Sequence, residues 1–313
     1  MHLTFLGTSS GTPTRERNVS GMALTFDDGA VWVVDCGEGT QHQILRTAIR
    51  PGRIEAILLT HLHGDHCYGL PGLLASLAVH GRSDDVAVVG PKGVAEWLAV
   101  TTRISSLRLA FTWRVVEIDS PGLLDLSLAR ATVSALPLVH RVESYAYHIT
   151  EPNRRGKVDA ARAHELGVGG SDIGRLAAGH TVTTSDGTLV DPSMVVGVDR
   201  PGRRVVLCGD SADSSGLLPE AIGCDLLVHE CTFAADRADH ARQWGHSTAP
   251  QVGALAAQLQ PKQLILTHLS SRYSDGAGPN QAPDDLRADC AAQCPGVPVS
   301  LAQDLQVIDI PRC

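Results

Sequence analysis

Ile54-Glu55-Ala56-Ile57-Leu58-Leu59-Thr60-His61-Leu62-His63-Gly64-Asp65-His66 is an apolar run that empties abruptly into three imidazoles and one carboxylate. A short, strongly apolar segment ending this way reads as a buried strand feeding a loop. Chemistry in open α/β sheets sits beyond such strand ends. Imidazole and carboxylate together suit zinc, manganese or iron. One metal takes three or four ligands. Four candidate ligands on one tight loop, pointing different ways, indicate two adjacent metals sharing it.

Outward from that loop, apolar runs and turn signals alternate. Strands are expected at 2–6, 23–26, 30–34, 54–59, 86–89, 111–118, 124–129, 131–136, 145–150, 204–207, 226–228, 263–266 and 305–310. Helices are expected at 41–48, 69–80 (broken early by Pro71), 91–101, 248–259 and 283–293. The layout predicts two sheets packed face to face with helices outside. Residues 151–191 break the texture. They are rich in Gly, Arg, Lys and Ala, poor in large apolar side chains, and hold at most one good helix, near 159–166. They read as an insertion projecting from the domain. A two-metal site needs further ligands, and three candidates stand just beyond apolar strands. His140 follows Ala135-Leu136-Pro137-Leu138-Val139, Asp210 follows Val205-Val206-Leu207-Cys208-Gly209, and His268 follows Leu264-Ile265-Leu266-Thr267.

Composition sets the bounds. A chain of 313 residues with 43% hydrophobic content can bury one large core or two modest ones. The 31 glycines and 4% aromatics fit an α/β protein with many tight turns and aliphatic strands. A net charge of -8 gives no sign of nucleic-acid binding, so any RNA contact must be local. The opening lacks the basic and long apolar regions of a signal peptide, and no window is apolar enough for a membrane span. The eight cysteines show no zinc-ribbon spacing and read as reduced core residues. Cys290 and Cys294, four apart on an expected helix, add a weak metal or redox alternative.

The set His-x-His-x-Asp-His plus His140, Asp210 and His268 resembles the metallo-β-lactamase fold, an αββα four-layer sandwich of two mixed sheets with outer helices. Further segments narrow the resemblance to the ribonuclease Z family of tRNA 3′-processing endonucleases. They are Phe5-Leu6-Gly7-Thr8-Ser9-Ser10-Gly11-Thr12-Pro13-Thr14, Asp35-Cys36-Gly37-Glu38-Gly39-Thr40-Gln41, His229-Glu230-Cys231-Thr232-Phe233, Gly245-His246-Ser247-Thr248 and Ser270-Ser271-Arg272-Tyr273. The resemblance runs the length of the chain as one domain, 1–313, with the insertion at about 151–191 as its projecting arm.

The resemblance implies two zinc ions per subunit, with manganese or cobalt as substitutes. His61, His63 and His140 would hold one, Asp65, His66 and His268 the other, and Asp210 would bridge them. A metal-bridged hydroxide would attack the scissile phosphorus, Asp65 would take its proton, and His246, held protonated by Glu230, would protonate the leaving 3′-oxygen. Asp35 is expected to fix the histidine loop from behind. For precursor tRNA the implied contacts are Arg15 and Arg17 near the mouth, Ser271, Arg272 and Tyr273 beside His268, and a basic arm tip of Arg154, Arg155 and Lys157. Arg15 stands where the family commonly has Lys, and 169–174 where it often carries Pro-Gly-Pro. A cytoplasmic homodimer is also implied. The readings left open are 3′ exonucleolytic trimming by the same centre, a hydrolase of the same fold acting on a small ester or phosphodiester, and an RNA-binding relative with a dead centre.

Overall fold

The computed structural model describes residues 1–126, 128, 130–274 and 282–312. The chain divides into two compact units, residues 1–150 with 204–311, and residues 151–203 with 312. In the first unit β1 (His2–Gly7), β2 (Gly21–Thr25), β3 (Val31–Cys36), β4 (Ile54–Leu58), β5 (Val86–Gly90) and β6 (Trp113–Glu117) lie side by side in one sheet. A second sheet begins with β7 (Gly122–Leu124), β8 (Thr132–Leu138) and β9 (Ser144–Thr150). The second unit contributes only the small pair β10 (Val182–Thr183) and β11 (Leu189–Val190). Then β12 (Arg204–Cys208), β13 (Leu226–Glu230), β14 (Leu264–Thr267) and β15 (Val299–Leu301) complete the second sheet, and β16 (Val307–Asp309) returns to pair with β1. Each large sheet has seven strands and is mixed. The run β3 to β6 is parallel, as is β12 to β15, whereas β1–β2–β3 and β8–β9–β12 are antiparallel.

Alternation along each strand builds the layers, because successive side chains leave opposite faces. Leu3, Phe5, Leu24, Trp32, Val34 and Leu58 face Val133, Tyr147, Ile149, Val205, Leu207 and Val228 in a core between the sheets. On the outer face of the first sheet, Val33, Ile57, Leu59 and Val88 pack against α3 (Leu70–Val79) and α4 (Val94–Ile104), which follow α1 (Thr40–Ile44) and α2 (Gly64–Cys67) in the chain. Beyond the second sheet, Val206, Leu227, Leu264 and Leu266 pack against α8 (Ala249–Leu259) and α9 (Pro283–Gln293). The result is the expected sandwich of helix, sheet, sheet and helix. Pro71 does not break α3; it is the second residue, where a missing N–H costs nothing and the fixed φ suits the helix. The expected strand 124–129 is instead Gly122–Leu124, and Ser127 and Ala129 lie outside the described residues. Cys290 and Cys294 are free, buried thiols within the outer core, with the Cys294 Sγ on the Cys290 carbonyl at 3.4 Å. No described helix is long and apolar enough to cross a membrane.

The second unit ends at Arg203, beyond the expected boundary of about 191. It holds two helices, α5 (Ala160–Glu165) and α6 (Ser171–Ala177), where sequence texture indicated one. Asp159 caps α5 by accepting from the Arg162 N–H at 2.9 Å. The unit has a core of its own, Ala163, Val168, Leu176, Val182, Val190 and Val195, small enough to escape a search for large apolar residues. Its two ends are clamped by a buried ion pair. Arg203 donates Nε and Nη2 to the two Glu151 oxygens at 2.7 and 2.8 Å, and Arg312 adds a contact at 2.9 Å. Burial raises the Glu151 pKa, but the Arg203 hydrogen bonds and the two guanidinium charges outweigh it and leave it lowered. This pair therefore stabilises fully above the unfolded pKa of about 4.3 and is lost as pH falls through the lower folded value. Glu151→Ala strands a buried guanidinium. It is expected to cost about 3–5 kcal/mol locally, read as faster hydrogen exchange across 151–203. Unchanged exchange there would contradict this account.

Candidate metal centre

The site lies where strand ends of both sheets meet. β4 delivers Thr60 and His61, and the single turn α2 carries Asp65 and His66. His140 follows β8, Asp210 follows β12, Glu230 ends β13 and His268 follows β14. His61 Nε2 and His140 Nε2 each lie 3.1 Å from His63 Nδ1. Asp210 Oδ2 stands 3.6 Å from His61 Nε2 and 4.0 Å from His140 Nε2. Its other oxygen, Oδ1, is 3.5 Å from His66 Nε2 and 3.3 Å from His268 Nε2. Asp65 Oδ2 completes this second group, 3.5 Å from His66 and 3.4 Å from His268. Six of the seven ligand candidates thus fall into two sets of three, with the two oxygens of the buried Asp210 carboxylate divided between them, and Asp210 and His268 also cluster with His246.

Partners behind the imidazoles set which nitrogen carries the proton. His66 Nδ1 faces Asp35 Oδ2 at 2.8 Å, and His140 Nδ1 faces the Gly245 carbonyl at 2.6 Å. These acceptors take an N–H, so the lone pairs of His66 and His140 point inward. Thr60 Oγ1 contacts both Asp35 oxygens, at 3.1 and 2.9 Å, so its hydroxyl donates there and accepts from His61 Nδ1 at 3.0 Å. Thr232 does the same at His268. Its hydroxyl donates to Glu230 Oε2 at 2.7 Å and accepts from His268 Nδ1 at 3.0 Å. His66 Nε2 and His268 Nε2 then present lone pairs to each other at 3.2 Å. Such an arrangement repels itself unless a proton or a metal ion lies between. Asp210 Oδ1 is buried with no hydrogen-bond donor, a further vacancy of the same sign. Burial pushes His66 down, yet Asp210, Asp35 and Asp65 outweigh it and hold it well above the usual range; the cavity calls for positive charge. The donor set, the inward lone pairs and the orphan oxygen together fit divalent metal.

Asp35 and His268 both take left-handed backbone angles, φ 59° and 56°, unusual for residues with a Cβ. The strain is held by the site, since Asp35 also accepts from the Thr60 N–H at 2.8 Å. Asp35→Ala frees the loop and the His66 ring. It is expected to weaken metal binding about 10–100-fold, measured by chelator competition; unaltered affinity would remove Asp35 from the site.

Beside the metal groups stands a carboxylate–imidazole pair. Glu230 is buried and accepts from Ser211, Ser247 and Thr232 N–H at 3.2, 2.7 and 2.9 Å, and it meets His246 Nδ1 at 3.3 Å. Burial alone would lower His246, but the Glu230 charge and hydrogen bond, with Asp210 beyond, raise it to about 9. Sequence reading missed Thr232 as the link between this pair and His268, although it stands inside the quoted His229–Phe233 segment. It also missed Gly11, whose N–H donates to Asp65 Oδ2 at 2.8 Å.

The expected RNA contacts divide. Arg15, Ser271 and Arg272 are exposed. Arg17 is not free to reach out, because its Nη1 donates to Thr8 Oγ1 and the Ala302 carbonyl, both at 2.7 Å. Tyr273 is buried in the outer core, and its hydroxyl accepts from the Ala234 N–H at 2.8 Å, so the ring offers no face to a base. Arg154, Arg155 and Lys157 are exposed but do not form a tip. Bridges Arg154↔Arg200 and Val158↔Val196 place them on the paired limbs near the ends of the second unit.

Residues 1–98 match a family model described as "Anti-Pycsar protein Apyc1", and residues 142–269 match one described as "Beta-lactamase superfamily domain". Over 320 residues the chain is 40% identical to a protein named ribonuclease Z from Synechococcus sp. (strain CC9902), covering 100% of this chain and 99% of the relative. Over 313 residues it is 41% identical to ribonuclease BN of Cronobacter sakazakii, covering 99% and 100%. Human tRNase Z, short form, superposes with a TM-score of 0.70 at 27% identity, over 99% of this chain and 100% of that one. The fold is the metallo-β-lactamase fold, and with full-length identity at this level the chain belongs to the ribonuclease Z family.

Proposed function

We propose that the chain is a zinc-dependent phosphodiesterase that removes the 3′ trailer of precursor tRNA by one endonucleolytic cut, leaving a 3′-hydroxyl on the tRNA. The observation that carries this reading is Asp210, whose two buried oxygens face two separate histidine sets beside the Glu230–His246 pair. Two zinc ions per subunit suit that division, one on His61, His63 and His140, the other on Asp65, His66 and His268, with Asp210 between. When bound, such a pair of ions lowers the pKa of water toward about 7 and offsets charge on the phosphate oxygens.

The chain's own groups then move two protons. Asp65, oriented by the Gly11 N–H, accepts the proton of the attacking water as its oxygen bonds to phosphorus. The bond from phosphorus to the tRNA 3′-oxygen breaks, and the trailer keeps the phosphate at its 5′ end. His246 gives the leaving 3′-oxygen its proton. With Nδ1 tied to Glu230, Nε2 is the donor, and among the described residues it has no other hydrogen-bond partner. Arg15, Ser271 and Arg272 are assigned to phosphates near the cut, and Arg154, Arg155 and Lys157 to the body of the tRNA. The 151–203 segment carries seven Arg or Lys (154, 155, 157, 162, 175, 200, 203) and seven Asp or Glu (151, 159, 165, 172, 186, 191, 199), so its grip depends on where these charges lie, not on their sum. Deleting that segment is expected to weaken precursor binding far more than hydrolysis of a small phosphodiester; equal losses would contradict the assignment. A homodimer in the cytoplasm completes the reading, and light scattering of the purified chain tests the dimer.

The deciding experiment is cleavage of a 3′-extended precursor tRNA with end mapping, by wild type and Asp65→Ala. One cut directly after the discriminator nucleotide, lost in the variant, supports the proposal. A ladder of shortened ends would replace it with exonucleolytic trimming. No cut, with a small phosphodiester still hydrolysed, would assign a different substrate to the same centre.

A further inference from the structure

If His246 protonates the leaving 3′-oxygen, the nucleotide bearing that oxygen lies against His246, and the side chains around His246 are its surroundings. Two residues earlier stands Trp244, at the end of α7 (Ala238–Trp244). It is 45% exposed, whereas Trp32 is fully buried and Trp97 and Trp113 pack partly buried against a core. The Arg141 guanidinium lies over it, 4.9 Å from the ring centroid. Arg141 is itself exposed, and among the described residues no carboxylate pairs with it. His240, one turn back on α7, supports the indole from 6.2 Å, and the Phe233 ring backs both His240 and His246, at 5.1 and 6.0 Å.

The pair is also fixed in place. Gly245 turns the chain with φ 79°, and its carbonyl accepts from His140 Nδ1 at 2.6 Å. A Cβ on Gly245 would lie 2.7 Å from that nitrogen and 3.1 Å from Arg141 Cγ, so only glycine lets the two segments close up. Trp244 and His246 on one side, and His140 and Arg141 on the other, are thereby locked together.

We infer that Arg141 and Trp244 form a stacking platform for the nucleobase of the discriminator nucleotide, the one whose 3′-oxygen the cut releases. The inference rests on the tRNA reading above. An unpaired 3′ end can splay its base onto aromatic or guanidinium planes, and the cation adds attraction for the neighbouring phosphate. Stacking is blind to base identity. The platform therefore holds the scissile nucleotide in register without selecting which base it carries.

The test is a two-by-two comparison of kcat/KM. Wild type and Trp244→Ala each cut a precursor with an intact or an abasic discriminator nucleotide. Removing the base is expected to cost wild type about 5- to 150-fold, the range of one base–aromatic stack. Trp244→Ala is expected to lose a similar factor on the intact precursor and nothing more on the abasic one, and Trp244→Phe to recover most of it. Losses that multiply on the abasic precursor, or a wild type indifferent to the base, would overturn the platform. If Trp244→Ala does not fold, Trp244→Leu and Arg141→Gln go through the same comparison with the same criteria. Failure of wild type on both precursors would overturn the tRNA reading and this inference with it.

Discussion

Asp210→Ala is expected to release the two proposed metals and to cut turnover by about 10³-fold or more, beyond the loss from removing a single transition-state donor. Asp210 is the group that faces both proposed metal positions: it presents Oδ2 to His61 and His140 and Oδ1 to His66 and His268. It is 2% exposed, and burial would raise its pKa. The charges of His268, His66 and His61 outweigh that and hold it well below the usual carboxylate range, so it is ionised at any working pH. Removing it subtracts the one negative charge common to both sets and leaves imidazole lone pairs opposed at 3.1–3.2 Å. Metal content after dialysis is the direct readout. Two ions per chain retained by Asp210→Ala would sink the bridging assignment. Asp210→Asn keeps the shape and one oxygen, and should retain more metal than the alanine variant but less than wild type.

His246→Ala should do the opposite: keep metal and lose chemistry. General-acid catalysis is worth about 10²–10⁴-fold, so a loss of that size is expected on precursor tRNA at unchanged metal content. The loss should be far smaller on an aryl phosphodiester, whose leaving group departs without a proton. Equal losses on both substrates would turn the Glu230–His246 contact into a purely structural one. The pH profile adds a second check. His246 sits at about 9, and bound cations nearby repel the imidazolium, so activity should fall as pH rises through a limb at or below pH 9. That limb should vanish in His246→Ala. The stability sign is the same. A folded pKa raised above the unfolded value of about 6.5 means the pair contributes fully below 6.5 and loses its contribution as pH rises through about 9.

Much of this site was legible because its residues are local in sequence or follow a strand. His61, His63, Asp65 and His66 stand on one loop, and His140, Asp210 and His268 each follow an apolar run whose period marks a strand. What was illegible is what depends on a partner far along the chain. Arg17 and Tyr273 look available as one-dimensional text. One is spent on Thr8 and Ala302, the other on Ala234 and the outer core. Arg154, Arg155 and Lys157 looked like a tip because nothing in their own segment shows that 196–200 returns to pair with them. The second helix of the insertion was missed because its core is valine, alanine and a lone leucine, too small to mark a period.

By itself the sequence determined the strand and helix periods, the candidate ligands and the family to which the motifs belong. Those follow from local chemistry: side-chain alternation, turn residues, and imidazoles placed after strands. Only the tertiary structure decided which nitrogen of each histidine faces inward, that Asp210 divides its oxygens between two sets, and that Gly245 brings Trp244 and Arg141 together beside His246. Tautomer, bridging and stacking are properties of pairs, and the members of those pairs are joined by folding rather than by the chain.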